Sequence, residues 1–371
     1  MTRGELTPIA ARKALRALRL ALILGVALCA ATDLAAAQEV NFGGKTVRMI
    51  VGSNAGGVTD VGARLVARYV SKYLPGGPHI VVQNMPGANG ITAANYLYQQ
   101  VEPDGLTSLA GSSSQVTPDV IRANPSVRYD LTKFAWIGGL YNEGTLLVAS
   151  LPAIARLKAG TGDPVVMGQV GGARTEALVA VWAAEYLGWK VRFVTGYPGT
   201  PQIVIAMMSG EVEMMNSSGL SGLDQVLKQP DKFGLVMQTG VYKNGKLAPR
   251  PGFENTPLIN EALQRTKISG LAKRAFDSWL DSIQIGKYFA LPPKTPANYQ
   301  STYRDAFSKM VADPEFQAQA PAAFEPGFVM MSADDVKTLI DRMGATPEDD
   351  YKYVDRLREK YGLASERRGS N

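Results

Sequence analysis

Nucleophilic catalysis has almost nothing to work with in this chain. It contains one histidine, His79, and one cysteine, Cys29. Ser-His and Cys-His systems need a base beside the nucleophile. His79 closes the run Pro-Gly-Gly-Pro-His79 at the start of a strand, where it reads as a surface or strand-edge residue. No Gly-x-Ser-x-Gly elbow is present, and the usual zinc ligands are missing. The carboxylate pairs Asp334-Asp335 and Asp349-Asp350 lie in charged C-terminal helices and read as solvated faces. Lysine-dependent chemistry stays open. The inventory points away from an enzyme; no catalytic residue, metal or cofactor is expected.

Ligand binding has more material. The stretch from Val47 to Asp60, Val-Arg-Met-Ile-Val-Gly-Ser-Asn-Ala-Gly-Gly-Val-Thr-Asp, reads as a buried strand, a small-residue turn, and a helix from about Thr59 or Asp60. Gly56 and Gly57 let a ligand approach the backbone closely. Thr59 and Asp60 are good residues for starting a helix. The first amides of that helix lack internal partners and carry the positive end of its dipole. A carboxylate or phosphate fits such a turn; a purely structural turn is the other reading. The stretch is not a P-loop, since no Lys-Ser or Lys-Thr follows the glycines, and it lacks the Gly-x-Gly-x-x-Gly spacing of dinucleotide folds. Arg174, in Gly171-Gly-Ala-Arg-Thr175 at a helix start, either clamps a carboxylate in a bidentate pair or faces solvent. Tyr197, in Gly196-Tyr-Pro-Gly199, either lines a cleft or packs under its own turn.

The elements that hold these turns alternate. Strands are expected at 47–51, 79–83, 107–111, 165–169, 191–195, 212–215 and 234–239, most of them followed by a small-residue turn and several by a helix. Residues 135–150 are apolar and extended, broken by Gly138, Gly139 and Gly144. The strands are continuously apolar, as in sheets covered on both faces. The first helix carries Val61, Leu65, Val66, Tyr69, Val70 and Leu74 on one side. Residues 243–257, rich in Pro, Gly and Asn, read as a surface loop. Helical stretches follow at about 258–266 and 271–282, then a strand at 283–291 and mostly helix to 363, interrupted at Pro314, Pro321 and Pro326. Strands alternating with helices before and after about residue 145 give two α/β lobes, and the late strand returns the chain to the first. In such sheets ligands sit at the carboxyl ends of strands.

The chain has 371 residues, 46% hydrophobic and 19% charged, which suits one large or two medium domains. Residues 1–37 read as a secretory signal: Arg3, Arg12, Lys13, Arg16 and Arg19, a short apolar run from Leu20 to Leu28, and Ala35-Ala-Ala37 as cleavage site before Gln38. Cys29 lies inside it, so no disulfide is expected. Loss of those five basic residues with Glu5 and Asp33 lowers the formal charge from +6 to about +3, too small an excess to point to nucleic acid.

Six short runs follow one another over about 40–345: Gly52-Ser-Asn-Ala-Gly-Gly-Val-Thr-Asp60, Asn84-Met-Pro-Gly-Ala-Asn-Gly90, Pro103-Asp-Gly-Leu-Thr-Ser108, Tyr197-Pro-Gly-Thr-Pro201, Gly210-Glu-Val-Glu213 and Asp313-Pro-Glu315. In this order they resemble the extracytoplasmic solute receptors of tripartite tricarboxylate transporters, the Bug/TctC-like family. The resemblance implies a two-lobed type II periplasmic binding protein fold, each lobe a mostly parallel sheet flanked by helices. Lobe 1 would comprise 38–145 plus 241–345, lobe 2 residues 146–240, and 346–371 a C-terminal helix and tail.

The implied ligand is a small organic carboxylate on the amides of Gly56, Gly57, Val58 and Thr59, beside Asn54, Ser112 and Ser113. Gly171, Gly172, Arg174 and Tyr197 would meet it from the other lobe. Ser217, which stands where the family often carries Asp, would join them. Asp60 would fix the first turn as a helix cap. The implied partners are the membrane permease subunits of a tripartite transporter, with the receptor a periplasmic monomer that binds no nucleic acid. The sequence departs from the family pattern at Gly52, Ser53 and Ala55 and in a longer, more helical 258–282, which marks a divergent subgroup and leaves the ligand's identity open. A sensor feeding a membrane kinase, or an α/β enzyme acting on a carboxylic acid, are the alternatives.

Overall fold

The computed structural model describes residues 39–171, 175–220, 222–243, 246–324 and 328–363, with the side chains of 119, 120, 123 and 243 left aside. The chain divides into a unit Met1–Asn41 and a unit Phe42–Asn371. The expected signal lies outside the described residues. Among those described, no helix is long and apolar enough to cross a membrane.

In chain order the strands are β1 Val47–Val51, β2 Ile80–Asn84, β3 Thr107–Ser112, β4 Ala135–Tyr141, β5 Leu146–Ser150, β6 Val165–Gly168, β7 Val191–Val194, β8 Met214–Ser217, β9 Phe233–Gln238, β10 Val241–Lys243, β11 Lys246–Ala248, β12 Ile285–Leu291 and β13 Met330–Ser332. Two mixed sheets result, ordered β13-β4-β12-β3-β1-β2 and β7-β6-β8-β5-β9, plus the β10-β11 hairpin. In the first sheet β1, β2 and β3 pair in parallel, while β12 runs antiparallel to both β3 and β4. In the second, β6, β7 and β8 pair in parallel, while β5 runs antiparallel to both β8 and β9. The expected two-sheet α/β architecture is therefore present; β13 runs antiparallel to β4 at one edge of the first sheet, and one interior strand is reversed in each sheet, β12 in the first and β5 in the second.

Those reversed strands follow from chain connection. Residues 142–145 lead from the carboxyl end of β4 into β5, and the chain after β9 returns to β12. Each reversed strand starts at the edge where its neighbours end: Leu146 pairs with Ser217 and Gln238, and Lys287 pairs with Ser112 and Leu140. The carboxyl edges of both sheets consequently flank the same crossing segments. These segments are tied together where they pass. Thr145 N donates to Thr239 Oγ1 at 2.8 Å, and Thr239 N to Thr145 O at 3.0 Å. Asn142 N donates to Gln284 O at 2.6 Å. Gly144 and Gly240 both have positive φ, and a Cβ on Gly144 would lie 2.8 Å from Gly240 O, so the close crossing requires glycine.

The first helix, Val58–Tyr73, buries Gly62, Ala63, Val66, Tyr69 and Val70, whereas Val61 is exposed. Its inward face is turned about one position from the sequence reading. Gly62 allows this, because a Cβ there would meet Phe324 Cε1 at 2.3 Å. The helices Ile259–Gln264 and Gly270–Ser282 share a core with Leu147, Met167 and Met214 of the second sheet. Trp182, fully buried, stands at the centre of that core, with Phe276, Trp279 and Tyr353 around it at ring distances of 5.2–6.2 Å. The apolar faces of 258–282 and of the last helix, Glu348–Lys360, thus pack with the second sheet, although the sequence reading groups 241–345 with the first lobe. Asp350 was expected on a solvated face; it is buried, 3.1 Å from Arg274.

Residues 243–257 also differ from the surface loop read from sequence. They carry the β10-β11 pairing and the buried Arg250. Turn-forming composition marks chain reversals, and here the reversal folds inward because Arg250 finds acceptors there.

Candidate functional site

At the carboxyl edge of the first sheet three turns meet. A Cβ on Gly52 would lie 3.0 Å from Gly90 Cα, and one on Gly90 would collide with Gln115 Nε2. Gln115 is buried and ties the turns: its Oε1 accepts from Ser112 N at 2.7 Å, and its Nε2 donates to Ser112 Oγ at 3.2 Å and to Asn89 O. Ser112 thereby spends its hydroxyl on the turn itself. Ser113 is half-buried, and its carbonyl accepts from Thr117 Oγ1 at 2.8 Å.

Asp60 organises the first turn. Gly57 takes the cap position without a side-chain bond, and Asp60 reaches back from inside the helix. Its Oδ2 accepts from Gly56 N at 2.8 Å and from Arg64 Nε at 3.0 Å, and its Oδ1 from Asn84 Nδ2 at 2.8 Å. Burial pushes its pKa up, but the hydrogen bonds from Arg64, Gly56 and Asn84 outweigh this and hold it below the usual carboxylate value. The amide of Gly56 is therefore occupied, and Gly57 N donates to Asn54 O at 3.2 Å. Of the four amides expected to hold the ligand, those of Val58 and Thr59 remain, in the first helical turn where no backbone acceptor reaches. Val58 is 68% exposed and Asn54 is exposed beside it.

At the carboxyl edge of the second sheet lies a cavity of about 510 Å³, lined by Gln169, Glu176, Thr200, Asn216, Ser217 and Gly219 among others. Ser217 lines this cavity, its Oγ donating to Gly219 O at 2.9 Å. Gln169 Nε2 donates to Asn216 Oδ1 at 2.5 Å, joining two of the lining side chains. Gly171 is half-buried with open space around it, while Gly172 and Arg174 lie outside the described residues. Tyr197 instead donates its hydroxyl to Glu211 at 2.6 Å, which raises its pKa to about 12, and its ring packs beside Gly168. Among the described residues no cluster of His, Cys, Asp and Glu could hold a metal.

Two cations escaped the sequence reading. Arg250, 3% exposed, donates to Gly144 O at 3.1 Å, to Ser218 O, and to Glu143 Oε2 at 3.2 Å, joining a crossing segment to the Ser217–Gly219 turn. Lys287 stands on β12 in register with Ser112, and burial lowers its pKa while the charge of Glu143 acts the other way. A sequence signal for Lys287 existed: it is the charged residue in the otherwise apolar run Ile285-Gly-Lys-Tyr-Phe-Ala-Leu291. Arg250 carried no such mark amid polar, turn-forming neighbours.

No protein-family model matches the chain. Among curated proteins it is similar to a UPF0065 protein of Bordetella bronchiseptica, 28% identical over 291 residues, covering 76% of this chain and 78% of the relative. It is also similar to Protein BugT of Bordetella pertussis, 28% identical over 203 residues, covering 52% of this chain and 61% of BugT. In fold it is similar to a TctC solute binding protein from Polaromonas, with TM-score 0.61 and 20% identity, covering 85% of this chain and 98% of that one. An R. palustris protein solved with adipate gives TM-score 0.52 and 17% identity, covering 85% of this chain and 97% of that one. The solved structures speak to the fold and the curated relatives to descent; together they support the resemblance to the Bug/TctC-like family that the sequence motifs carry.

Proposed function

We propose that the chain is a periplasmic receptor that captures a small organic carboxylate and delivers it to the permease subunits of a tripartite tricarboxylate-type transporter. The observation that carries this reading is the meeting of both carboxyl edges at the crossing segments. One edge offers the Val58 and Thr59 amides at a helix N-terminus; the other offers a polar cavity of about 510 Å³. Two lobes hinged at 142–145 and 239–241 would close on a ligand held between those edges. In this arrangement 258–282 and the last helix move with the second lobe, since their apolar faces pack there. Arg174 would add a bidentate cation from the second lobe. The adipate in the R. palustris neighbour supports a carboxylate of that size. The Polaromonas neighbour is a TctC solute binding protein, and turnover of a bound acid is not expected here.

The test is a thermal-shift and calorimetric screen of ligand-stripped protein against mono-, di- and tricarboxylates, with amino acids and neutral sugars as controls. At least one acid is expected to raise the melting temperature in a concentration-dependent way. Stabilisation by a sugar or amino acid alone would overturn the reading. Transport is tested by capture of the permease subunits with the liganded receptor; capture of a membrane kinase instead would favour sensing.

A further inference from the structure

We propose that Lys287 is the ion-pair partner of the ligand's carboxylate, set at the carboxyl edge of the first sheet on the same face as the Val58 and Thr59 amides. The inference rests on the carboxylate-receptor reading above. Lys287 pairs with Ser112 on β3 and with Leu140 on β4, so it sits in the interior of the sheet and at the end of its neighbours' run. Side chains alternate along a strand. Tyr288 belongs to the core on one face, with Gly111 opposite it making room for the ring. Phe289 points the other way, onto Phe307 at 5.7 Å, in the helix Ala297–Ala312 that packs along the Val58–Tyr73 helix. Alternation puts Lys287 on that second face. The Val58–Tyr73 helix starts at the carboxyl end of β1, so its first amides share this face and this edge.

The lysine's surroundings leave its charge available to an anion. Its ammonium forms no hydrogen bond or ion pair with any described residue. The carboxylate whose charge reaches it is Glu143, which Arg250 already engages at 3.2 Å. Lys287 is half-buried, so its ammonium still reaches solvent and its charge is open to a ligand rather than spent on a protein acceptor. A ligand carboxylate between the helix amides and Lys287 would supply a counter-charge to that ammonium.

The experiment titrates ligand-stripped full-length protein with adipate and with a panel of other carboxylates, then repeats the strongest acid on Lys287→Met, Lys287→Gln and Lys287→Arg. The Met and Gln variants are expected to bind roughly 10- to 100-fold more weakly, the loss of a charge-assisted contact. The Arg variant is expected to keep most of the affinity. Affinity within about twofold of wild type in the Met and Gln variants overturns the inference and leaves the carboxylate reading standing. Failure of the wild type to bind any acid overturns that reading, and this inference with it. A readout independent of folding variants is the wild-type lysine Nζ NMR spectrum. One protected ammonium signal is expected to move on saturation with acid, and an unmoved spectrum overturns the inference.

Discussion

Replacing Asp60 with Asn removes one negative charge and turns one acceptor into a donor. Asp60 is 2% exposed, and every neighbour of its carboxylate is a donor: Gly56 N at 2.8 Å, Asn84 Nδ2 at 2.8 Å, and Arg64 through Nε and Nη2 at 3.0 Å. Whichever way the new amide flips, its NH2 group faces one of these donors. A hydrogen bond to a charged acceptor contributes about 1.5–3 kcal/mol. Arg64 is half exposed and regains water, so its share is small. The loss falls on Gly56 or Asn84, and Asp60→Asn is expected to cost about 2–4 kcal/mol. Urea unfolding followed by far-UV circular dichroism measures it. A loss below about 0.5 kcal/mol would refute the reasoning. The sign of the pH dependence gives a second check. Asp60's folded pKa lies below its unfolded value of about 3.9, so its contribution is present above pH ~4 and is lost as pH falls through the lower folded value. The gap between wild type and variant should therefore shrink in acid; a gap that widens there refutes the assignment.

Two further substitutions test the crossing and the C-terminal packing. Arg250→Met leaves Glu143 and the carbonyls of Gly144 and Ser218 without their donor, at an expected cost of about 3–5 kcal/mol in urea unfolding; a cost under about 1 kcal/mol would remove Arg250 as the tie between segments. Asp281 has its pKa raised to about 6, chiefly by burial and only partly countered by Arg342 at 3.3 Å. A raised folded pKa means stability present below about pH 4 and lost as pH rises toward 6. Asp281→Asn is thus expected to be up to about 2 kcal/mol more stable than wild type at pH 7, with no such gain at pH 4; melting curves at both pH values decide it, and a variant less stable at pH 7 contradicts the burial argument.

The strands were the most legible feature, for a physical reason. A strand covered on both faces is a continuous apolar run, so β1, β4 and β6 stand out from their turns. β13 did not, because Met330–Ser332 is three residues long and takes its place from pairing with β4. The early residues of β8 shifted by two, since Val212 is buried by packing while Asn216 and Ser217 make the ladder with β5. The first turn was found by its glycines, but which of its amides stay open was not, because that depends on Asp60 reaching back to Gly56. Gln115 and Arg250 were passed over for the same reason: their partners, at Asn89 and at Gly144 and Ser218, are distant in sequence.

The central claim is that a carboxylate is the ligand. Calorimetric titration of ligand-stripped protein with adipate and related di- and tricarboxylates tests it most directly. Saturable binding of at least one acid with a micromolar or tighter Kd, weakened by Lys287→Met, is expected. No heat from any acid, alongside saturable binding of a neutral solute, would contradict it.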